Sequence, residues 1–255
     1  MRKAVILVSF GTSHRDAREN SLDAIYGDIK KMCCDMDVYQ AYTSGMIIKK
    51  LLSLGIKIYS ADEAVKEALK KGAEILYIVP THIIHGHEYD KITMICEKYS
   101  DKFNEIKIAP AVLENREDCE KVVSVLNSII SFDKKYEYIL MGHGSDADAN
   151  IRYEQMNEAF KNAGFTNVHI ASVEAKPDLD DALNEMRKPD EVEKVILYPF
   201  MVVAGDHAKN DMAGEEDSYV AKLKDLGYNT EAVIKGLGEY PRFRKIYIDN
   251  LNKLI

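Results

Sequence analysis

Short, nearly unbroken apolar runs alternate along this chain with longer stretches in which apolar residues recur every third or fourth position. The runs are "AVILVSF", "DVYQAYT", "EILYIVP", "IKIAPAV", "YEYILMG", "VHIASVE", "KVILYPFMV" and "EAVIKGL". Runs of this length and composition predict strands, and continuous hydrophobicity predicts that both faces are covered, as in a parallel sheet between helix layers. The intervening stretches predict amphipathic helices: "DEAVKEALKKG" closes on two lysines and Gly72, and "EDCEKVVSVLNSII" repeats apolar residues at helical spacing. The final stretch, "GLGEYPRFRKIYIDNLNKLI", predicts a helix from about Pro241 that packs on either half or on a neighbouring subunit. Alternation of strands and helices defines the class as α/β.

The pattern also repeats. "ILVSFGTS" resembles "ILMGHGSD", pairing Phe10 with His143 and Gly11 with Gly144. "VYQAYTS" resembles "VHIASVE", pairing Ser44 with Glu174, and "VPTHIIHGHEYD" resembles "YPFMVVAGDHAK", pairing Glu88 with His207. Two similar domains are expected, residues 1–132 and 133–255, each a four-stranded parallel sheet flanked by helices, facing each other across a cleft. The last helix is free to pack back on the first half.

His143, Glu174 and His207 each follow a predicted strand of the second half and so share one end of one sheet. In open α/β sheets ligands bind outside the carboxyl ends of the strands. A single histidine after a strand is more often a surface or capping residue. Three donors at matched positions of consecutive strands are better explained as a site. Two imidazoles and a carboxylate suit Co²⁺, Fe²⁺, Ni²⁺ or Zn²⁺ and leave coordination positions open. Asp206, nearby, is a candidate acceptor for a ring N–H of the site. The first half carries Phe10, Ser44 and Glu88 instead, so the expected site is asymmetric.

Composition narrows the function classes. With 255 residues, 46% hydrophobic and 30% charged, the chain reads as an ordinary globular protein, and a net charge of -8 argues against a general affinity for nucleic acid. No run reaches the ~18 apolar residues of a spanning helix and no signal peptide is evident, which places the protein in the cytoplasm, off the membrane. The four cysteines, Cys33, Cys34, Cys96 and Cys119, show no zinc-ribbon spacing and read as reduced thiols. "FGTS" resembles a phosphate-binding turn, but neither GxxxxGK[ST] nor GxGxxG is present.

The segments "VSFGTSHRDAREN", "AYTSGMIIKKL", "THIIHGHEYDKI", "MGHGSDADA" and "MVVAGDHAKNDMAGEEDSY" together resemble the anaerobic class II cobalt chelatases of the cobalamin pathway, the sirohydrochlorin cobaltochelatases of CbiK type, from residue 2 to about residue 250. The resemblance implies two facing α/β domains and insertion of Co²⁺, a substrate metal, into sirohydrochlorin with neither ATP nor an organic cofactor. It also implies a His/Glu/His metal site, which falls on His143, Glu174 and His207. His82, Gly86, Glu88 and Tyr89 fit the pattern, whereas His85 and His87 are additions, either solvent-facing or a metal-entry relay.

Metal insertion makes demands of its own. The ring must bend, the ion must lose water, and two pyrrole protons must leave. Imidazoles titrating near ~6.5 serve as ligands or bases, so His143 and His207 are candidates for both tasks, and Glu88 for proton uptake from the opposite wall. Both halves should be needed, because one wall cannot grip a macrocycle. The substrate's carboxylates call for local positive charge. Amides of the turns around Gly11 and Gly144, with Arg15 and Lys209, are the candidates, while Lys49, Lys50, Arg116 and Arg152 read as surface residues. Met46 is either a ring contact or a core residue. Two alternatives stay open: a ferrochelatase acting on sirohydrochlorin for sirohaem, and a non-catalytic tetrapyrrole or metal carrier. Homo-oligomerisation is also open.

Overall fold

A computed structural model describes residues 1–145 and 148–255. Within them the chain divides into two compact units, residues 1–112 with 244–255, and residues 113–243.

The first unit is built on a parallel sheet in the order β3-β2-β1-β4-β5, with β1 Lys3–Ser9, β2 Asp37–Tyr42, β3 Tyr59–Ser60, β4 Ile75–Pro80 and β5 Glu105–Ile108. The central strands β1 and β4 are buried almost throughout, which is why their sequences are continuously apolar. One core cluster joins Ile6, Val8, Leu76 and Ile78 to Ala64, Val65 and Ala68 of the helix Ala61–Lys70. That helix begins at a capping box, in which Ser60 accepts from the Glu63 N–H and the Glu63 carboxylate accepts from the Ser60 N–H. Gly72, at φ +81°, follows its end.

The second unit carries a four-stranded parallel sheet in the order β7-β6-β8-β9, with β6 Tyr136–Gly142, β7 Val168–Ser172, β8 Lys194–Pro199 and β9 Thr230–Ala232. A buried polar group within it is satisfied: the His169 ring shares a hydrogen bond with Glu137 Oε2 at 2.9 Å, and Arg187 donates to the other carboxylate oxygen at 2.5 Å.

Two expectations are corrected. The first sheet has five strands, because the two residues of β3 add to the end of β2; a two-residue strand is too short to show as an apolar run. The division between units falls at residue 112 and not 132, because the helix Arg116–Ile130 packs on the helix Ile151–Asn162 of the second unit. Arg116 pairs there with Glu158, and the Cys119 thiol lies 4.0 Å from the Arg152 carbonyl. The last helix, Pro241–Asn252, ends in the first unit: Arg244 pairs with Asp28, and Tyr247 donates to the Thr81 carbonyl at 3.1 Å.

The repeat is visible in backbone hydrogen bonds just beyond the strands. In the first unit Thr81 N donates to Val8 O, Thr43 N to Ser9 O and Ser44 N to Phe10 O; in the second, Phe200 N donates to Met141 O, Val173 N to Gly142 O and Glu174 N to His143 O. Each bond of one set has its counterpart, at the positions the sequence repeat pairs.

Candidate metal centre

In the second unit, β6 ends at Gly142 and delivers His143, whose carbonyl accepts from Glu174 N at 3.0 Å. This bond ties the residue after β6 to the residue two beyond β7. Gly144 makes the approach possible: it sits at φ +92°, and a Cβ there would lie 2.9 Å from Ala175 N. His207 arrives on the long segment after β8 and immediately precedes a π-helical turn, Ala208–Met212.

The three side chains converge. One donor atom from each of His143, Glu174 and His207 lies within 4.8 Å of the others, and among the described residues no other such group is found. The two imidazoles meet edge to face with centroids 4.4 Å apart, and Glu174 Oε2 is 3.6 Å from His143 Nδ1. Donors about 2.1 Å from one ion stand within about 4.2 Å of each other, so modest rotation closes the set. All three side chains are between 36% and 55% exposed, which leaves solvent or a second ligand a route to any bound ion.

The hydrogen bonds specify tautomers. His143 Nδ1 faces the Gly144 carbonyl at 3.0 Å, and His207 Nδ1 faces Asp211 Oδ2 at 2.7 Å. A carbonyl and an ionised carboxylate only accept, so both Nδ1 atoms carry the hydrogen and both Nε2 lone pairs are left for a ligand. The carboxylate on His207 Nδ1 is Asp211, four residues on along the π turn.

At the equivalent places of the first unit stand Phe10, Ser44 and Glu88. Phe10 is 47% exposed. Ser44 is buried and caps the helix Gly45–Ser53 by accepting from Ile47 N–H at 3.4 Å, so its hydroxyl has a structural task. Gly11 lies at φ +104°, where a Cβ would sit 2.4 Å from the Tyr42 ring. Glu88, in the first turn of the helix His87–Lys98, accepts from the Thr43 hydroxyl at 2.6 Å and pairs with Lys91. Burial pushes its carboxyl up, but the bonds from Lys91 and Thr43 outweigh it and hold the carboxyl below its ordinary range. Close by is an imidazole to which the sequence assigns no role: both ring nitrogens of His82 are buried without a hydrogen-bond partner, and burial pushes the ring down to about 4.

The remaining candidates are not drawn together. Arg15 is 82% exposed and already paired with Glu19 at 2.7 Å. Lys209 is half-buried in the π turn beyond His207. Met46 is 79% exposed rather than in the core. His85 and His87 face Asp90 at 3.2 and 3.6 Å, and His85 stacks on Tyr89. Asp146, the last residue of the "HGSD" turn, lies outside the described residues. The cysteines are free, and burial pushes the Cys96 and Cys119 thiols up to about 11. No helix of the described residues is long and apolar enough to cross a membrane. Asp211 and Thr43 are hydrogen-bond partners of the candidate residues His207 and Glu88 that are not evident in the sequence, although the i,i+4 spacing of His207 and Asp211 is there to be read.

Fold and site together define a class: a two-unit parallel α/β protein with an open His/Glu/His group suited to holding a divalent ion. The chain belongs to the cobalt chelatase (CbiK) family, whose model matches residues 3–255. It is 31% identical to a sirohydrochlorin cobaltochelatase of Salmonella typhimurium, covering 100% of this chain and 97% of that one. It is 26% identical to the sirohydrochlorin cobaltochelatase CbiKC of Nitratidesulfovibrio vulgaris, covering 100% and 91%. Two structures of SirB from Bacillus subtilis, one with Fe³⁺ and one in complex with cobalt, share the fold at a TM-score of 0.66 and 13–14% identity, covering 99% of this chain and 95% of theirs.

Proposed function

We propose that this protein is a sirohydrochlorin cobaltochelatase, inserting Co²⁺ into the tetrapyrrole without ATP, in the cytoplasm. The observation that carries the proposal is the convergence of His143, Glu174 and His207 within 4.8 Å in a member of this family. Nε2 of both imidazoles and the Glu174 carboxylate hold the incoming ion. Their borderline-hard donor set matches Co²⁺ and its neighbours. Solvent exposure of all three lets the ion arrive hydrated and leave toward the ring nitrogens.

Charge and protons must balance: one dication enters and two pyrrole N–H protons leave. Glu88 takes up one of these protons, and an imidazole of His143 or His207, freed as the ion passes to the ring nitrogens, takes up the other. The hydrogen bonds from Thr43 and Lys91 keep the Glu88 carboxylate ionised at neutral pH, so it is available as an acceptor and releases the proton readily afterwards. The exposed apolar side chains Phe10 and Met46 offer contacts for the ring. Gly11, Gly144 and Ser44 act by shaping the backbone of their own turns, and Arg15 and Lys209 supply positive charge for the substrate's carboxylates.

The test is anaerobic insertion of Co²⁺ into sirohydrochlorin, followed by absorbance, with Fe²⁺, Ni²⁺ and Zn²⁺ in parallel, for wild type and His207→Ala. Multiple turnover with Co²⁺ preferred, lost in the variant, is expected. Faster insertion of Fe²⁺ would reassign the enzyme to sirohaem formation, and tight retention of ring or metal without turnover would make it a carrier.

A further inference from the structure

The two histidines of the centre are held differently. The Nδ1–H of His143 is bound by a neutral backbone carbonyl at 3.0 Å, and that of His207 by a carboxylate at 2.7 Å. The second contact depends on local architecture. His207 leads into the π turn Ala208–Met212, and Gly214 N donates back to Asn210 O at 2.9 Å to finish it. Only glycine fits there, since a Cβ on residue 214 would lie 2.4 Å from Asn210 O. The wide turn carries Asp211 round to His207. π turns of this kind are uncommon and frequently accompany functional sites.

We infer that Asp211 is a positioning residue for the metal centre: its carboxylate fixes the His207 ring with Nε2 toward the ion and makes this imidazole the stronger donor of the pair. The inference rests on the reading of His143, Glu174 and His207 as metal ligands. An imidazole whose N–H is bound by a carboxylate donates more strongly from its other nitrogen than one bound by an amide carbonyl. His207 is then the anchor, and His143, whose Nδ1–H is hydrogen-bonded to a carbonyl and lies beyond hydrogen-bond reach of the Glu174 carboxylate at 3.6 Å, is the ligand that lets go first when the ring nitrogens compete for the ion. Asp211 acts through His207, whose Nδ1 it meets at 2.7 Å.

Two measurements test this on the full-length protein. In the metal-free state, long-range ¹H–¹⁵N correlation spectra report which nitrogen of each imidazole bears hydrogen. His207 is expected as the Nδ1–H form in wild type and in Asp211→Asn, whose amide oxygen still accepts, and as a mixture in Asp211→Ala. Co²⁺ titration calorimetry then gives the affinity. Asp211→Ala is expected to bind Co²⁺ roughly 10- to 100-fold more weakly, with Asp211→Asn between it and wild type. In turnover the loss should fall on KM for Co²⁺ and spare kcat.

Asp211 is 43% exposed, so thermal melts of both variants should match wild type. An Asp211→Ala protein with the wild-type tautomer and wild-type Co²⁺ affinity, alongside a His207→Ala protein that has lost affinity, would overturn the role of Asp211 and leave the metal centre standing. Undiminished Co²⁺ affinity in His207→Ala would overturn the metal centre itself, and the inference with it.

Discussion

Phe10 and Ser44 in the first unit occupy the backbone places that His143 and Glu174 occupy in the second, and the sequence repeat sets Glu88 against His207. Matching hydrogen bonds fix the first two pairs: Ser44 to Phe10 in one unit, Glu174 to His143 in the other. Both turns need a glycine at positive φ, Gly11 and Gly144. The frame is therefore common, and the chemistry is decided by which side chains it carries. One unit holds three side chains whose donor atoms converge as a metal site requires, while the other holds an exposed aromatic ring, a helix cap and a carboxylate whose hydrogen bonds from Lys91 and Thr43 favour its ionised form. The contrast teaches that a backbone arrangement can specify where a functional side chain stands without specifying what it does.

The contrast breaks most visibly on removing ligands. His143→Ala or Glu174→Ala should lower Co²⁺ insertion by roughly 10³-fold or more, since a lost ligand forfeits several kcal/mol. Phe10→Ala and Ser44→Ala should leave Co²⁺ affinity unchanged by calorimetry, and Ser44→Ala should show mainly the ~1 kcal/mol of a lost helix cap. Glu88→Gln should lower kcat by roughly 10²-fold while Co²⁺ still binds as in wild type. A weakened Co²⁺ affinity in that variant would move Glu88 among the ligands and end the division of labour.

Smaller effects sharpen the comparison through stability. His82 stands where the second unit has Met201. With its folded-state value at about 4 and an unfolded value near ~6.5, the unfolded chain binds a proton there that the folded chain refuses. Stability is therefore complete above pH ~6.5 and declines as pH falls toward ~4, by roughly 3 kcal/mol. His82→Leu should flatten this part of the curve in urea melts across pH; an unaltered slope would mean that His82 is hydrated. Smallest are the turn glycines. Gly144→Ala should cost about 1–3 kcal/mol in chemical denaturation and weaken Co²⁺ binding, whereas Gly11→Ala should cost a similar amount and leave Co²⁺ binding alone.

What can be read in the sequence follows from how local each signal is. The apolar runs of β1, β4 and β6 are buried on both faces, so their composition alone marks them, whereas β8, equally apolar, alternates buried with half-buried positions; the internal repeat locates the three candidate donors without any geometry. The two residues of β3 leave no pattern. The helix Arg116–Ile130 follows β5 in the chain and so reads as part of the first half, yet its apolar stripe packs on the second unit, a choice that periodicity does not encode. Asp211 goes unread as a partner of His207 because adjacency in sequence draws attention to nearer carboxylates, while the π turn brings a carboxylate four residues on to the ring. The pairing of Arg15 with Glu19, one helical turn on, is a local i,i+4 signal that the sequence does carry. The orphaned nitrogens of His82 depend on what surrounds it in three dimensions, and no stretch of sequence announces that.

The last helix carries a consequence for how the chain is made. Residues 244–255 complete the first unit, where Arg244 meets Asp28, Tyr247 meets Thr81, and Lys107 donates to the Leu254 carbonyl at 3.0 Å. Domains usually mature in the order in which the ribosome releases them. Here every residue of the second unit is translated before the first unit receives its final piece, so the unit begun first is the one finished last.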